Sequence, residues 1–309
     1  MNIHIENVNL KSASGPNHFA NKLIKYLEKI NFRFDLSTSP DARICFIESP
    51  RQKFDNIPLI QRLDGIYFNN TQNYKHQNAN IRRTYQNASH VIYQSEFNKR
   101  LTTKWFGEHA NSTVIHNGAD FEMISSIEPL QHSSIDKYEK IWACASHWRP
   151  HKRLTENIRY FLEHASPRDC LIVAGKTEER PVGDERIFYV GNIDVPKLIS
   201  LYKRSDYLLH LAWLDHCPNV VVDARACGCQ IICSSAGGTL EISGLDAIII
   251  EEEDWDFSPI DLYNPPKLDF SKKIQNNFNI DLNMEKIALK YAMVLKGEKN
   301  ENNQRLITR

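Results

Sequence analysis

Short apolar runs of strand length alternate along the chain with amphipathic runs of helix length, and this alternation occurs in both halves. The pattern is typical of parallel sheets covered by helices on both faces. In the first half it predicts strands at residues 2–8, 43–48, 90–93 and 112–115. It predicts helices there at residues 17–29, 79–85 and 96–106. We therefore expect a doubly wound α/β unit at the start of the chain.

A second unit of the same kind is predicted after residue 139. Its strands are expected at residues 140–146, 170–175, 187–191, 206–213 and 230–235, and its helices at 153–164, 195–203 and 218–226. Between the units, residues 121–137 are polar and lack periodicity, which indicates a crossing between domains near Ser134. We expect a first domain over residues 1–134, a second over 135–280, and a last helix at 284–295 within a C-terminal segment over 281–309.

Length and charge narrow the class of protein. The 309 residues leave room for about two domains, each with its own core. The 38 basic side chains balance the 38 acidic ones, so we expect no nucleic-acid partner. No window approaches 18 consecutive apolar residues and the start lacks a signal-peptide pattern, so we expect a cytoplasmic protein. The seven cysteines mostly sit in apolar runs and are expected to be reduced and buried.

Candidate chemistry follows the predicted strands, because ligands of open parallel sheets bind beyond the carboxyl ends of the strands. The segment SHWRPHKRL follows one strand and carries Arg149 and Lys152, three residues apart. Two cations at the start of a helix suit a diphosphate, since their charge adds to that of the free amide groups there. The alternative is a solvated basic turn.

The segment LDHCPNVVVDARACG follows a later strand, and seven residues separate its Asp215 from its Asp223. Pro218 is pre-set for the first turn of a helix, which would leave the amides of Asn219 and Val220 free for an anion or a sugar hydroxyl. A plain core helix is the alternative, but a buried Asp223 would then need a partner. His210 and His216 flank this segment, and packed histidines are the commoner outcome.

Three further segments give weaker signals. Gly237 and Gly238 precede Glu241 in the segment SSAGGTLEISG, and Gly15 stands between the first strand and the first helix. Glycine lets a backbone approach a ligand closely, but it also makes ordinary turns. The segment IHNGAD contains an Asn-Gly pair, which usually marks a turn.

Together these segments resemble the retaining GT-B glycosyltransferases of glycosyltransferase family 4. That family has two acidic residues, usually both Glu, separated by seven residues, then an A-x-A-x-G segment and a GG-x-x-E loop. Here these read Asp215, Asp223, ARACG and GGTLE, and HNGAD and VIYQSEF add to the likeness. The resemblance implies an α/β fold of two Rossmann-like, doubly wound parallel-sheet domains facing across a cleft. It also implies sugar transfer from a nucleoside diphosphate sugar to a hydroxyl, with retention of configuration and without a metal or other cofactor.

The resemblance also implies roles for single residues. Arg149 and Lys152 would neutralise the donor diphosphate, Asp223 would bind the ribose, and Asp215 would hold the transferred sugar. The remaining donor contacts would come from Gly15, His147, Val190, Gly191, Pro218, Asn219, Val220, Gly238 and Glu241.

This sequence departs from the family pattern in three places. Both acids are Asp, which shortens each reach by one methylene. His147 occupies the slot of a usual basic residue, so Arg149 is offset by two. The catalytic-region histidine that many family members carry in the first domain is not evident here, and Asp64 stands at a comparable place as either a site residue or a turn residue before Gly65.

Other functions stay open at this point. A nucleotide-sugar epimerase and a non-catalytic nucleotide-sugar binding protein fit the same fold, whereas a dinucleotide oxidoreductase would need G-x-G-x-x-G after a first strand. We expect Asp254 and Asp256 to be a solvated acidic run, and Cys227, Cys229 and Cys233 to be packed thiols. The expected acceptor is a glycan or a lipid-linked hydroxyl compound. The segment with Lys99, Arg100, Lys104 and Trp105 is either a peripheral membrane contact or a solvated helix face.

Overall fold

The computed structural model describes residues 1–12, 14–178 and 181–298. Its first domain contains a five-stranded sheet in the order β1-β2-β3-β4-β5, and all neighbouring strands are parallel. The strands are β1 Ile3–Glu6, β2 Ala42–Phe46, β3 Leu59–Leu63, β4 His90–Tyr93 and β5 Ser112–Val114. The helices are α1 Gly15–Lys29, α2 Tyr74–Asn87, α3 Glu96–Phe106 and α4 Phe121–Ser126. The side chains of Asn73, Ser95 and Asp120 accept an amide hydrogen at the starts of α2, α3 and α4.

The second domain contains a seven-stranded sheet in the order β12-β11-β10-β9-β6-β7-β8, in which β12 alone runs antiparallel to its neighbour. The strands are β6 Ile141–Ala145, β7 Cys170–Ala174, β8 Ile187–Gly191, β9 Tyr207–His210, β10 Gln230–Ser234, β11 Ile248–Ile250 and β12 Lys273–Ile274. The helices are α5 Leu154–His164, α6 Val195–Arg204, α7 Asn219–Ala226, α8 Thr239–Ile242 and α9 Met284–Leu295.

Alternating side chains of each strand supply the cores on the two faces of each sheet. In β6, Ile141 and Ala143 belong to the core with α6 and α7, whereas Trp142 and Cys144 belong to the core with α5. This two-residue period is what parallel strands buried on both faces require. The predicted class, two doubly wound parallel-sheet domains, is therefore confirmed.

The last helix, α9, packs on the first domain although the chain reaches it from the second. Its buried face contains Met284, Ile287 and Tyr291, which share a core with Phe19 and Leu23 of α1. Residues 299–309 of the predicted C-terminal segment lie outside the described residues. The boundary near Ser134 stays a prediction.

Two elements differ from the sequence-based expectation for identifiable reasons. Strand β3 was not predicted because Gln61 and Arg62 interrupt its apolar run, yet both side chains are buried and hydrogen-bonded. The short helix α4, which Asp120 caps, lies at the start of the non-periodic residues 121–137 and was not predicted. The strands β11 and β12 and the short helix α8 were also not predicted. Among the described residues, none of the helices has the length and apolar character that a membrane span needs.

Candidate functional site

The turn after β6 separates two neighbouring cations. A short 3-10 turn covers Pro150–Lys152, and Arg153 follows in the left-handed region at φ 52°. The buried Arg153 guanidinium donates to both carboxylate oxygens of Glu252, at 2.8 and 2.7 Å. Arg153 therefore connects this turn to the segment after β11, whereas the Lys152 side chain contacts Asp215. Glu252 shows that the acidic run around Asp254 is not wholly solvated, although Asp254 and Asp256 themselves are exposed.

Lys152, His210 and Asp215 form what we name the Asp215 cluster. Lys152 Nζ and His210 Nε2 both contact Asp215 Oδ2, the latter at 3.0 Å, and Asp215 Oδ1 accepts the amide of His216 at 3.1 Å. Burial alone would raise the pKa of Asp215, but Lys152 and His210 outweigh it and hold the pKa well below its usual range. Asp215 is therefore ionised, with 15% of its side chain exposed.

Two helix N-termini meet beside this cluster, one from each domain. Helix α7 begins at Asn219, with Pro218 as its N-cap, and α1 begins at Gly15; neither has a side-chain cap. The side-chain amide of Asn219 donates to the carbonyl of Gly15 at 3.0 Å. The first amides of a helix lack intrahelical partners and carry partial positive charge, so this contact brings two anion-attracting helix ends together.

The acid predicted to bind a ribose is enclosed by the opposite domain. Asp223 Oδ1 lies 3.1 Å from Lys22 Nζ, and Asp223 Oδ2 lies 3.3 Å from His18 Nε2. His18 and Lys22 are four residues apart on α1, so both reach α7 from the same helix face. We call His18, Lys22 and Asp223 the Asp223 clasp. It supplies the partner that a buried acid in this helix requires.

The glycine-rich loop also contacts the opposite domain. Glu241 accepts the amides of Glu96 and Phe97 at 2.8 Å each, and it contacts His116 Nε2 at 2.8 Å. Its carboxylate therefore lies at the N-terminus of α3, where negative charge is favoured. A Cβ on Gly238 would overlap the carbonyl oxygen of His216 and lie 2.7 Å from Ser95 Oγ. The loop thus packs against the first domain, and the predicted donor contacts of Gly238 and Glu241 stay predictions.

Asp64 directly follows β3, and both of its carboxylate oxygens are buried. It forms an ion pair with Arg62, which is fully buried and also donates to Asn117 Oδ1 at 2.6 Å. The next residue, Gly65, contacts the ring of His216, where a Cβ would come within 2.5 Å of Nε2. Asp64 therefore precedes Gly65, the residue that contacts His216, and His216 directly follows Asp215.

The other predicted site residues lie outside these clusters. His147 and Arg149 are exposed in the loop before the 3-10 turn, where nothing within the described ranges pairs with the Arg149 side chain. Val190 is 44% exposed at the end of β8, the edge strand, and Gly191 follows it at φ 64°. The structure therefore brings Lys152 to Asp215 and Gly15 to Asn219, whereas the donor contacts of Arg149, His147, Val190 and Gly191 stay predictions.

Sequence reasoning missed His18 and Lys22. Lys22 is only 4% exposed, yet it stands in an ordinary amphipathic helix, and its partner lies 201 residues further along the chain. The one available signal was the buried acid Asp223, which needed a cation from some other element. Nothing in the local pattern indicates which element supplies it.

The segment of α3 that was either a membrane contact or a solvated face is partly covered by the second domain. Trp105 Nε1 donates to the carbonyl of Phe257 at 2.8 Å, and the Arg100 guanidinium lies 5.4 Å from the centre of the Phe257 ring. The segment around Ile260 continues this contact, because its amide donates to the carbonyl of Phe68 at 3.1 Å. Trp105 therefore serves an interdomain contact.

Metal ligation was not predicted for this chain. All seven cysteines are free and six are buried, and burial raises the pKa of Cys227 and of Cys233 to about 12. In the part of the chain that the structure describes, no group of three or more His, Cys, Asp or Glu side chains is arranged to hold a metal ion. Whether the reaction needs a metal stays a prediction.

Comparisons with known proteins agree with this geometry. The family model described as "Glycosyl transferases group 1" matches residues 132–257. The matched segment contains the Asp215 cluster, Asp223 and the glycine-rich loop.

Two solved structures resemble nearly the whole chain. Sucrose-phosphate synthase from Thermosynechococcus elongatus superposes with a TM-score of 0.69 at 13% identity, covering 96% of this chain and 98% of that one. HepE of Anabaena, solved in complex with UDP-glucose, gives a TM-score of 0.62 at 15% identity, covering 96% and 100%. These neighbours confirm the predicted GT-B architecture. One curated viral protein is similar in sequence: ORF31 (isolate Australia/Victoria), described as a candidate glycosyltransferase. It is 21% identical over 272 residues, which cover 75% of this chain and 81% of that protein.

Proposed function

We propose that the chain is a glycosyltransferase of family 4 that moves a sugar from a nucleoside diphosphate sugar to a hydroxyl acceptor, retaining the configuration at the anomeric carbon. The observation that carries this proposal is the Asp215 cluster lying beside two uncapped helix N-termini from opposite domains. A diphosphate fits the helix ends and Lys152, and a sugar hydroxyl fits the ionised Asp215.

The main barrier in this reaction is the departure of the diphosphate. The bond from the anomeric carbon to the diphosphate breaks, the acceptor oxygen forms the new bond to that carbon, and the acceptor proton passes to an oxygen of the departing diphosphate. Lys152 and the amides of Asn219 and Val220 would stabilise the charge that grows on the leaving group. Arg149, which is exposed, would add its charge from the loop above the 3-10 turn. In this scheme the protein supplies the cations itself, and we propose that no divalent metal is needed.

The donor nucleotide and the acceptor belong to the same proposal. HepE was solved with UDP-glucose, so UDP-sugars are the first donors to test, followed by GDP- and ADP-sugars. The acceptor is proposed to be a glycan or lipid-linked compound bound over the first-domain loops, and the site role of Asp64 belongs to the same proposal. A cytoplasmic location is proposed on the sequence alone.

The test begins with a thermal-shift screen of these sugar nucleotides and continues with release of nucleoside diphosphate from the hit. We expect Lys152→Ala to lower kcat by about two to three orders of magnitude, as loss of a group that stabilises transition-state charge does. The matched control is Lys197→Ala, because Lys197 is 73% exposed at the start of α6. Unchanged turnover in Lys152→Ala would remove Lys152 from the chemistry.

The alternatives give different results in the same assay. A non-catalytic binding protein would shift in melting temperature with donor but release no nucleoside diphosphate. An epimerase would turn over the donor with no acceptor added.

A further inference from the structure

The last residue of β9, His210, lies buried beneath Asp215. It is 4% exposed, and its Nε2 is 3.0 Å from Asp215 Oδ2. Burial lowers the pKa of His210 even though Asp215 acts in the opposite direction, so the ring is neutral. Because the ionised carboxylate can only accept, the Nε2–H of His210 is the donor in this hydrogen bond.

Three donors together fix the plane of the Asp215 carboxylate. Lys152 and His210 share Oδ2, and the amide of His216 occupies one side of Oδ1. A carboxylate offers about four lone-pair sites. One acceptor site therefore remains, on Oδ1, and the partly exposed Asp215 side chain can present it to a ligand.

We propose that His210 is a positioning residue for the proposed transfer: it holds Asp215 Oδ2 against Lys152 so that the remaining acceptor site of Oδ1 meets a hydroxyl of the donor sugar. The inference rests on the proposed function. His210 itself is too buried to touch the substrate, so it acts through Asp215.

His210 also explains why an aspartate fits at position 215. The backbone of Asp215 is fixed, because its carbonyl accepts the amide of Gly238 at 2.7 Å and it forms a bridge with Gly237. A longer acid on this fixed backbone would move the carboxylate by about one bond length into the His210 ring and the Lys152 ammonium. Asp215 and His210 thus form a matched pair.

The first experiment compares His210→Leu, which removes the donor, with His210→Gln, which keeps an N–H at a similar place. We expect His210→Leu to lower kcat for nucleoside diphosphate release roughly ten- to a hundredfold, as loss of a hydrogen bond to a charged group does. KM for the donor should change much less. His210→Gln should recover most of the loss.

The matched control is His164→Leu in the same domain. His164 stacks on Tyr160, with ring centres 4.1 Å apart, and lies on α5 outside the Asp215 cluster. His164 is exposed, so its replacement tests the general effect of a His-to-Leu change outside the Asp215 cluster, and kcat should stay at the wild-type value. Melting temperatures of all variants separate unfolding from loss of activity.

The second experiment tests the matched pair and also serves if His210→Leu does not fold. Asp215→Glu alone should lose activity, and the double variant Asp215→Glu with His210→Ala should regain part of it. A wild-type kcat in folded His210→Leu, equal impairment of the Gln and Leu variants, or no recovery in the double variant would overturn the inference. If Lys152→Ala is inactive while His210→Leu is fully active, this inference alone fails; if the wild-type protein transfers no sugar, the proposed function fails and the inference fails with it.

Discussion

The Asp223 clasp provides the sharpest test of how the two domains are held together. Lys22 and Asp223 are almost completely buried, with 4% and 7% of their side chains exposed, and their charged atoms are 3.1 Å apart. Lys22→Met would leave the Asp223 carboxylate inside the interface with only His18 as a partner. Breaking a buried pair from one side typically costs about 3–5 kcal/mol, because the other charge stays desolvated. We expect a loss of this size in the free energy of unfolding.

A double-mutant cycle measured by urea unfolding isolates the pair from the packing of its members. Asp223→Asn should destabilise for the same reason as Lys22→Met, and the double variant should lose at least about 2 kcal/mol less than the sum of the two single losses. The control pair is Lys286 with Asp281, which lies on the surface of the described structure at 65% and 49% exposure. Lys286→Met should leave the unfolding midpoint unchanged.

The clasp also predicts how unfolding loses cooperativity. It joins α1 of the first domain to α7 of the second, so its loss should weaken the coupling of the two domains and broaden the unfolding transition, although the Glu241 and Trp105 contacts remain. Strict additivity of the two single variants would refute the reasoning, as would a Lys22→Met protein that is as stable as the wild type.

Two further predictions concern the same interface. Gly238→Ala should lower the free energy of unfolding by about 1–3 kcal/mol, because its Cβ would overlap the His216 carbonyl oxygen and crowd Ser95 Oγ. Gly183→Ala is the control, since no atom lies within 4 Å of its added Cβ. Equal melting temperatures for the two variants would count against the interface contact. Burial lowers the pKa of His216 to about 4, so the folded state keeps it neutral while the unfolded chain protonates near pH 6.5. The contribution of neutral His216 to the free energy of unfolding is therefore complete above pH 6.5. It is lost as the pH falls towards 4, by up to about 1.4 kcal/mol per pH unit. Urea midpoints of His216→Phe between about pH 4.5 and 7 should fall less steeply than those of the wild type, and parallel slopes would contradict this.

Local periodicity was sufficient to predict most of the elements around the site. The strand β6, the turn with Lys152, the loop with Asp215 and the start of α7 all follow from short local runs of sequence. Because the carboxyl ends of parallel strands meet at one edge of a sheet, the sequence also indicated that Lys152 and Asp215 lie close together. Their contact in the Asp215 cluster agrees with that expectation.

Only the tertiary structure decided where the buried polar groups find their partners. Strand β3 was not predicted because an arginine such as Arg62 is typical of a surface position. In the structure Arg62 is buried beside Asn117 and Asp64. Asp223 pairs with Lys22 of the other domain, and the local sequence contains no signal for a partner that lies 201 residues away; its predicted ribose contact stays a prediction. The sequence alone determined most of the strands and helices, since these depend on short-range spacing of apolar side chains. Which charges are available to a ligand and which hold the domains together depends on long-range pairing in the folded chain, because a buried charge is stable only beside the group that compensates it.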